Sequence, residues 1–119
     1  MKIYFQVLVI AAGFCFAQTS FAQDPVKQSP DKYKVIFNND RVRVLDVHLK
    51  PGDKSPMHSH PNYLVYALSN STVKFTFPNG KTSEFKTRTG QCVWRDAEKH
   101  AVENTGKTEA HVLNIELKH

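Results

Sequence analysis

Three of the six histidines in the chain have the spacing of a metal site. His58 and His60 are two positions apart, and side chains at positions i and i+2 of an extended strand project from the same face. One strand can therefore direct two imidazoles at one point. His100, forty residues further on, would add a third imidazole from a non-adjacent strand and leave coordination positions open for water, oxygen or substrate. Open positions favour catalysis over a purely structural ion.

The residues around these histidines strengthen the interpretation. An isolated His-x-His pair is a weak signal, because a surface pair or a core pair is its usual explanation. Here a turn at Pro51-Gly52 precedes the pair with the spacing G-x5-H-x-H, and Pro61 follows it. His100 then opens an H-x3-N segment after a second turn at Gly90.

This double pattern resembles the two motifs of the cupin superfamily, over about Asp40 to Leu117. The phrases HSHPNYLVYALS, KFTFPNGK and WRDAEKHAVEN are most similar to small single-domain cupins of the bacterial beta-alanine-degradation type. The resemblance implies an all-β fold, a small jelly-roll (double-stranded β-helix) barrel. It also implies a divalent metal held by His58, His60 and His100, with Fe(II) first and Mn(II), Ni(II) or Zn(II) as alternatives.

The chain departs from the cupin motifs at several positions. Cupins usually place a ligand glutamate where this chain has Leu64 or Val65, so the site has three protein ligands at most. Asn70-Ser71 replaces the later glycine of the first motif, and Asp96 and Glu98 stand where the second motif has proline and glycine. The fourth ligand is therefore absent from the pattern.

Other residues are candidates for the surroundings of the site. Glu98, two positions before His100, is the best carboxylate for a rescue ligand or a general base, although a solvated loop charge is its more frequent fate. The catalytic group is otherwise unknown. Small-barrel sites are concave and largely apolar. The residues expected to line this pocket are Val65, Tyr66, Phe75, Cys92, Trp94 and Arg95.

Three further positions are predicted to have roles of their own. Cys92 is expected to be a buried small hydrophobe, and a thiol near the metal is the alternative. His48 is expected to be a hydrogen-bonded structural histidine. His111 is expected to support the site by bonding a ligand imidazole.

The first 22 residues have the features of a secretory signal. Met1-Lys2 is positive, Ile3 to Phe16 is apolar but too short to span a membrane, and Ser20-Phe21-Ala22 has small residues at −3 and −1. An uncleaved anchor is the alternative. We expect a signal peptide at 1–22, a flexible segment at 23–32, a cupin domain at 33–119, no membrane anchor after cleavage, and a periplasmic or secreted protein.

The rest of the chain contains short segments rich in β-branched and aromatic residues, separated by turns. Nine strands are predicted: Tyr33 to Phe37, Arg41 to Leu49, Met57 to His60, Tyr63 to Leu68, Thr72 to Phe77, Ser83 to Thr87, Gln91 to Arg95, Ala101 to Asn104 and Ala110 to Leu117. The Asn79-Gly80 pair predicts a tight type I′ hairpin.

Composition narrows the function. The chain has a net charge of +5, and its basic residues are scattered and not clustered. This pattern gives no indication of nucleic-acid binding. Three classes of function remain: a metal-dependent oxidoreductase, dioxygenase-like, acting on a small molecule; a non-catalytic module that binds a small molecule or metal; and a structural homodimer with residual histidines. Cupins with three histidines and no glutamate resemble those that cleave diketones or oxidise thiols, which places dioxygenase first.

Overall fold

The computed structural model describes residues 23–119. The predicted signal peptide lies outside the described residues. Each of the nine predicted strands is present with small shifts at its ends. The strands are β1 Tyr33–Asn38, β2 Val42–Leu49, β3 Lys54–His60, β4 Tyr63–Ala67, β5 Ser71–Thr76, β6 Thr82–Thr87, β7 Cys92–Arg95, β8 Glu98–Asn104 and β9 Ala110–Leu117.

The strands form two antiparallel sheets that face each other. One sheet has the order β1-β2-β9-β4-β7, and the other has the order β3-β8-β5-β6. Because consecutive strands often belong to different sheets, the chain crosses repeatedly between the layers and closes a small jelly roll. The expected all-β architecture is confirmed.

Alternation of side chains along each strand produces the core. In β2, Leu45, Val47 and Leu49 are buried while the residues between them are partly exposed. Apolar residues from both sheets meet in one cluster, which includes Val73 and Val102. Full burial of each such side chain contributes about 1.5–3 kcal/mol.

The segment before β1 differs from its prediction. Residues 23–32 were expected to be flexible, but Pro25–Gln28 forms a short helix, α1. Asp24 caps the helix by accepting a bond from the amide of Val26 at 2.9 Å, and Pro25 supplies a favourable first helical residue. Pro25 is buried, and Asp24 also pairs with Arg43 at 2.7 Å. These contacts fix the segment to the barrel.

The hairpin between β5 and β6 also differs in type. The amide of Gly80 donates to the carbonyl of Phe77, and the amide of Phe77 donates to the carbonyl of Lys81. The observed turn is therefore centred on Pro78 and Asn79, one residue earlier than predicted, and the ring of Pro78 forbids the positive φ that a type I′ turn would need there. Gly80 follows this turn in the left-handed conformation, at φ +82°, so the connection is a three-residue loop.

Among residues 23–119, no helix is long and apolar enough to cross a membrane.

Candidate metal centre

Three buried imidazoles meet between the two sheets. His58 lies directly opposite His100 in the antiparallel pair of β3 and β8, and His60 follows two residues later on the same face of β3. The ring centroids are 4.8 to 5.2 Å apart, and one ring nitrogen of each histidine lies within 4.8 Å of the others. The predicted convergence is present. However, β8 is the immediate neighbour of β3 and not a non-adjacent strand.

The protonation of His58 and His100 suits a bound cation. Their exposed fractions are 0% for His58, 5% for His60 and 2% for His100. Burial, followed by the neighbouring histidines, lowers the pKa of His58 from 6.5 to about 3. Burial also lowers the pKa of His100. Both imidazoles are therefore neutral at pH 7, and neutral imidazole is the form that binds metal.

Two ring nitrogens at this point have no hydrogen-bond partner. They are Nε2 of His58 and Nδ1 of His100, both fully buried. An unsatisfied buried polar atom costs about 1–3 kcal/mol, so two in one cluster need an explanation. An ion bound by the cluster would satisfy Nε2 of His58, whereas Nδ1 of His100 faces the carboxylate of Glu98 at 3.6 Å. Three imidazoles are ligands that suit Fe, Ni and Zn. The residues present fit a divalent transition metal.

Backbone and carboxylate groups orient two of the rings. Nδ1 of His58 lies 3.0 Å from the carbonyl oxygen of Pro56, and Nδ1 of His60 lies 2.8 Å from Oε2 of Glu116. Because a carbonyl and a carboxylate accept the Nδ1 proton, Nε2 of each ring keeps its lone pair. The sequence did not indicate Glu116, since it lies on β9, 56 residues from His60.

Glu116 belongs to a longer chain of charges. Its Oε1 accepts a bond from Nε of Arg43 at 2.7 Å, and Arg43 in turn donates to Asp24 at 2.7 and 3.2 Å. Arg43 thus compensates the negative charge of a carboxylate that is 2% exposed. The chain of contacts runs from α1 to His60.

Glu98 is placed beside the centre and is not a loop charge. It opens β8, where its carboxylate accepts bonds from the guanidinium of Arg95 and, at 2.6 Å, from the hydroxyl of Tyr63. Its Oε1 lies 3.6 Å from Nδ1 of His100. Burial alone would raise the pKa of Glu98, but the hydrogen bonds from Arg95 and Tyr63 and the nearby His100 outweigh it and hold the pKa well below its usual range. A carboxylate held so firmly in its anionic form is a weak base and a good positioning group.

The barrel interior next to the histidines is a small apolar cavity of about 50 Å³. Val65 and Phe75 line it as predicted, and Phe75 stacks on His100 with a centroid distance of 4.3 Å. The guanidinium of Arg95 lies over the rings of Phe75 and Phe85 at 4.7 and 5.1 Å. Asn114, which the sequence did not indicate, is also buried in the cavity wall.

Four of the six predicted pocket residues do not line the cavity. Arg95 faces inward, but it lies over the rings of Phe75 and Phe85 and not in the cavity wall. Tyr66, Cys92 and Trp94 do not line the cavity, because Val65 and Arg95 occupy the inward positions of β4 and β7 and side chains alternate between faces. Tyr66 is 38% exposed and Trp94 is 51% exposed. Cys92 is exposed as well, so both interpretations of this thiol, buried hydrophobe and metal neighbour, are wrong.

The two remaining strand histidines lie together on the outer face. His48 is hydrogen-bonded as expected, at 3.0 Å from Glu109 and 3.3 Å from Asp46. The expectation that His111 supports the metal ligands is wrong, since its Nε2 contacts Asp46 at 2.7 Å on the outside of the sheet. Glu116, on the opposite face of β9, has that supporting position.

Comparison with known proteins agrees with this architecture. A scan against protein-family models gives no match, and a search of curated proteins gives none either. Among solved structures, a cupin domain from Bordetella pertussis is 26% identical with a TM-score of 0.67, covering 73% of this chain and 92% of the other. The chain belongs to the cupin superfamily.

More distant structures share the fold. A cupin family protein with a double-stranded β-helix fold from Methanocaldococcus jannaschii is 13% identical, with a TM-score of 0.57 and coverage of 73% and 79%. The polyketide cyclase RemF from Streptomyces resistomycificus is 18% identical, with a TM-score of 0.54 and coverage of 73% and 64%. This cupin therefore shares a scaffold with at least one enzyme, while the identity of its metal and the beta-alanine type stay predictions.

Proposed function

We propose that this cupin binds one divalent metal ion through His58, His60 and His100 and acts as an oxidoreductase on a small molecule. The observation that carries the proposal is Nε2 of His58, which is buried without a hydrogen-bond partner in a cluster of three buried imidazoles whose ring nitrogens converge. Fe(II) is the first candidate, and Mn(II), Ni(II) and Zn(II) are the alternatives.

The ligand set favours catalysis. Three neutral imidazoles leave the full charge of the ion in place, and the bound ion would supply Lewis acidity and open positions for oxygen and substrate. Leu64 or Val65 stands where related cupins carry a glutamate, and both are apolar, so neither adds a fourth ligand; Val65, the buried one of the two, is 4% exposed. These two features support a dioxygenase-like reaction.

The protein groups around the ion would restrain and desolvate the site. Glu116 and Pro56 hold two rings in orientation, and the ring of Tyr63 stacks on His60 at 4.5 Å. Phe75 covers His100. Glu98 presents an anionic carboxylate 3.6 Å from Nδ1 of His100, where it can stabilise a proton on that ring nitrogen.

A second candidate function is the capture of a metal or a very small molecule without turnover. The size of the cavity favours it, because about 50 Å³ accommodates no more than a few water-sized groups. A diketone or thiol substrate would then bind only if Arg95 and the phenylalanines beneath it move aside.

The test starts from protein purified without a histidine tag. Metal content is measured for the wild type, for His100→Asn and for the matched control His119→Asn at the chain terminus. We expect the wild type and the control each to hold one equivalent of metal more than His100→Asn. Absence of metal from the wild type after growth in each of the four metals would contradict the proposal.

Turnover separates the two functions. Oxygen uptake is followed with the loaded protein against a panel of diketones and thiols. Uptake that requires His100 supports the oxidoreductase, whereas metal binding without uptake across the panel supports capture alone.

We also propose that the protein is exported, on the basis of the residues at 1–22. Intact mass of protein recovered from the producing cell should correspond to a chain that begins at Gln23. A full-length chain in the cytoplasm would contradict export.

A further inference from the structure

A second group of metal-binding side chains lies on the outside of the barrel. His48 on β2 is directly opposite His111 on β9, and Asp46 precedes His48 by two residues on the same face of β2. We call Asp46, His48 and His111 the outer-face triad. Side chains alternate along β9, so His111 projects outward while Glu116, which supports the central histidines, projects inward.

The donor atoms of the triad already converge. Nε2 of His111 is 2.7 Å from Oδ1 of Asp46, and Nε2 of His48 is 3.3 Å from Oδ2 of the same carboxylate. The two imidazoles stack with their centroids 3.8 Å apart and an angle of 21° between the rings. One ligand atom from each of the three side chains lies within 4.8 Å of the others.

Charge and access also suit a cation. Burial raises the pKa of Asp46, but the hydrogen bond from His111 and the nearby His48 together outweigh it, so the net shift is downward and the group is anionic at neutral pH. Glu109 brings a second carboxylate to 3.0 Å from Nδ1 of His48. The side chains of His48, His111 and Asp46 are 41%, 30% and 26% exposed, which lets an ion enter from solvent.

We propose that the outer-face triad is a second site for a divalent transition metal, with two imidazoles and one carboxylate as protein ligands. Zn²⁺ accepts nitrogen and oxygen ligands at about 2.0–2.2 Å, and Cu²⁺ and Ni²⁺ bind the same donor types. The ion would take the place of the protons that the imidazoles now share with Asp46. Rotation of the two partly exposed rings brings both Nε2 atoms onto it.

This site is independent of the central one. The three central histidines face the interior from β3 and β8, and the triad lies on the outer face of the other sheet. A bound ion would join β2 and β9 side by side and stabilise the folded state by mass action. The competing explanation is a purely structural hydrogen-bonded pair of histidines with no affinity for metal.

Zn²⁺ alone is the probe. Untagged mature protein is freed of metal by chelation and then titrated with Zn²⁺ by calorimetry. The proteins compared are the wild type and the variants His48→Asn, His111→Asn, His100→Asn and His119→Asn. We expect one equivalent that disappears in both His48→Asn and His111→Asn and persists in His100→Asn and in the terminal control. The variants of the triad are exposed at the surface and should fold normally.

The readout does not depend on the central site. If the central histidines bind no metal, the wild type still shows the one equivalent that His111→Asn removes. Zn²⁺ should likewise raise the melting temperature of the wild type through the triad, and this part of the shift should be lost in His111→Asn. Equal Zn²⁺ uptake by the wild type, His48→Asn and His111→Asn would overturn the proposal and leave the structural pair of histidines, whatever the central site binds.

Discussion

Glu116 and His60 face each other inside the barrel, with Oε2 of the carboxylate 2.8 Å from Nδ1 of the imidazole and side chains only 3% and 1% exposed. The pair links the last strand to the central histidine cluster. Because Nδ1 of His60 is bonded to Glu116, its Nε2 is the nitrogen that faces the other two histidines. Arg43, on the other oxygen of Glu116, balances the buried charge. This relationship makes Glu116 a supporting residue of the proposed metal site.

Glu116→Gln should weaken metal binding at the central site. Glutamine keeps the size of the side chain but removes the negative charge that orients and strengthens the ligand, so we expect a loss of about 10- to 100-fold in affinity. Glu103→Gln, which changes a partly exposed ion pair with Lys74 away from the central cluster, is the control. Equal affinities for the two variants in a competition assay with a chromophoric chelator would show that Glu116 has no such role.

Val65→Glu should restore the carboxylate that related cupins have. Val65 lines the cavity with His60 and His100, so the new side chain reaches the centre. We expect metal binding to be kept or tightened and oxygen-dependent turnover to be suppressed, because the added ligand competes with substrate. Val65→Gln has the same shape without the charge and serves as control. Higher turnover in the glutamate variant than in the wild type would contradict the idea of competition.

The metal-free protein should lose stability as the pH falls below about 6.5. The folded-state pKa of His58, at about 3, is lower than its ordinary value, so the unfolded chain binds this proton first between pH 6.5 and 3. His100 acts in the same direction, and the lowered pKa of Glu98 adds a loss at still lower pH. Urea unfolding at pH 7.5, 6 and 4.5 measures the slope. His58→Asn should flatten it, and an unchanged slope would count against the neutral buried imidazole.

Glu98→Gln should destabilise the fold more than Tyr63→Phe. Removal of the carboxylate leaves the half-buried guanidinium of Arg95 without its charged partner, at a cost of about 1.5–3 kcal/mol. Removal of the tyrosine hydroxyl leaves Glu98 with Arg95, at a cost of about 1 kcal/mol. Glu84→Gln on exposed β6 should stay within about 0.5 kcal/mol of the wild type. If chemical denaturation showed Tyr63→Phe to be less stable than Glu98→Gln, the charged partnership between Arg95 and Glu98 would not stabilise the fold as expected.

Much of the local structure follows from the sequence. The β-branched and aromatic segments marked nine strands, and the i, i+2 spacing of His58 and His60 placed both rings on one face. The errors came where a side chain had to be assigned to a face. Tyr66, Cys92 and Trp94 were expected in the pocket, but the alternation of β4 and β7 puts them outside. A strand segment with apolar residues on both faces contains no local signal that tells the two faces apart.

The sequence by itself therefore determined the cupin resemblance, the strand count and the three central histidines, because these depend on spacing within short segments. Tertiary structure decided which groups support them. Glu116 meets His60 across 56 residues, and His48 meets His111 across a strand pairing that connects distant segments. Strand order and register bring such residues together, and they arise from packing of the whole barrel instead of from any local pattern.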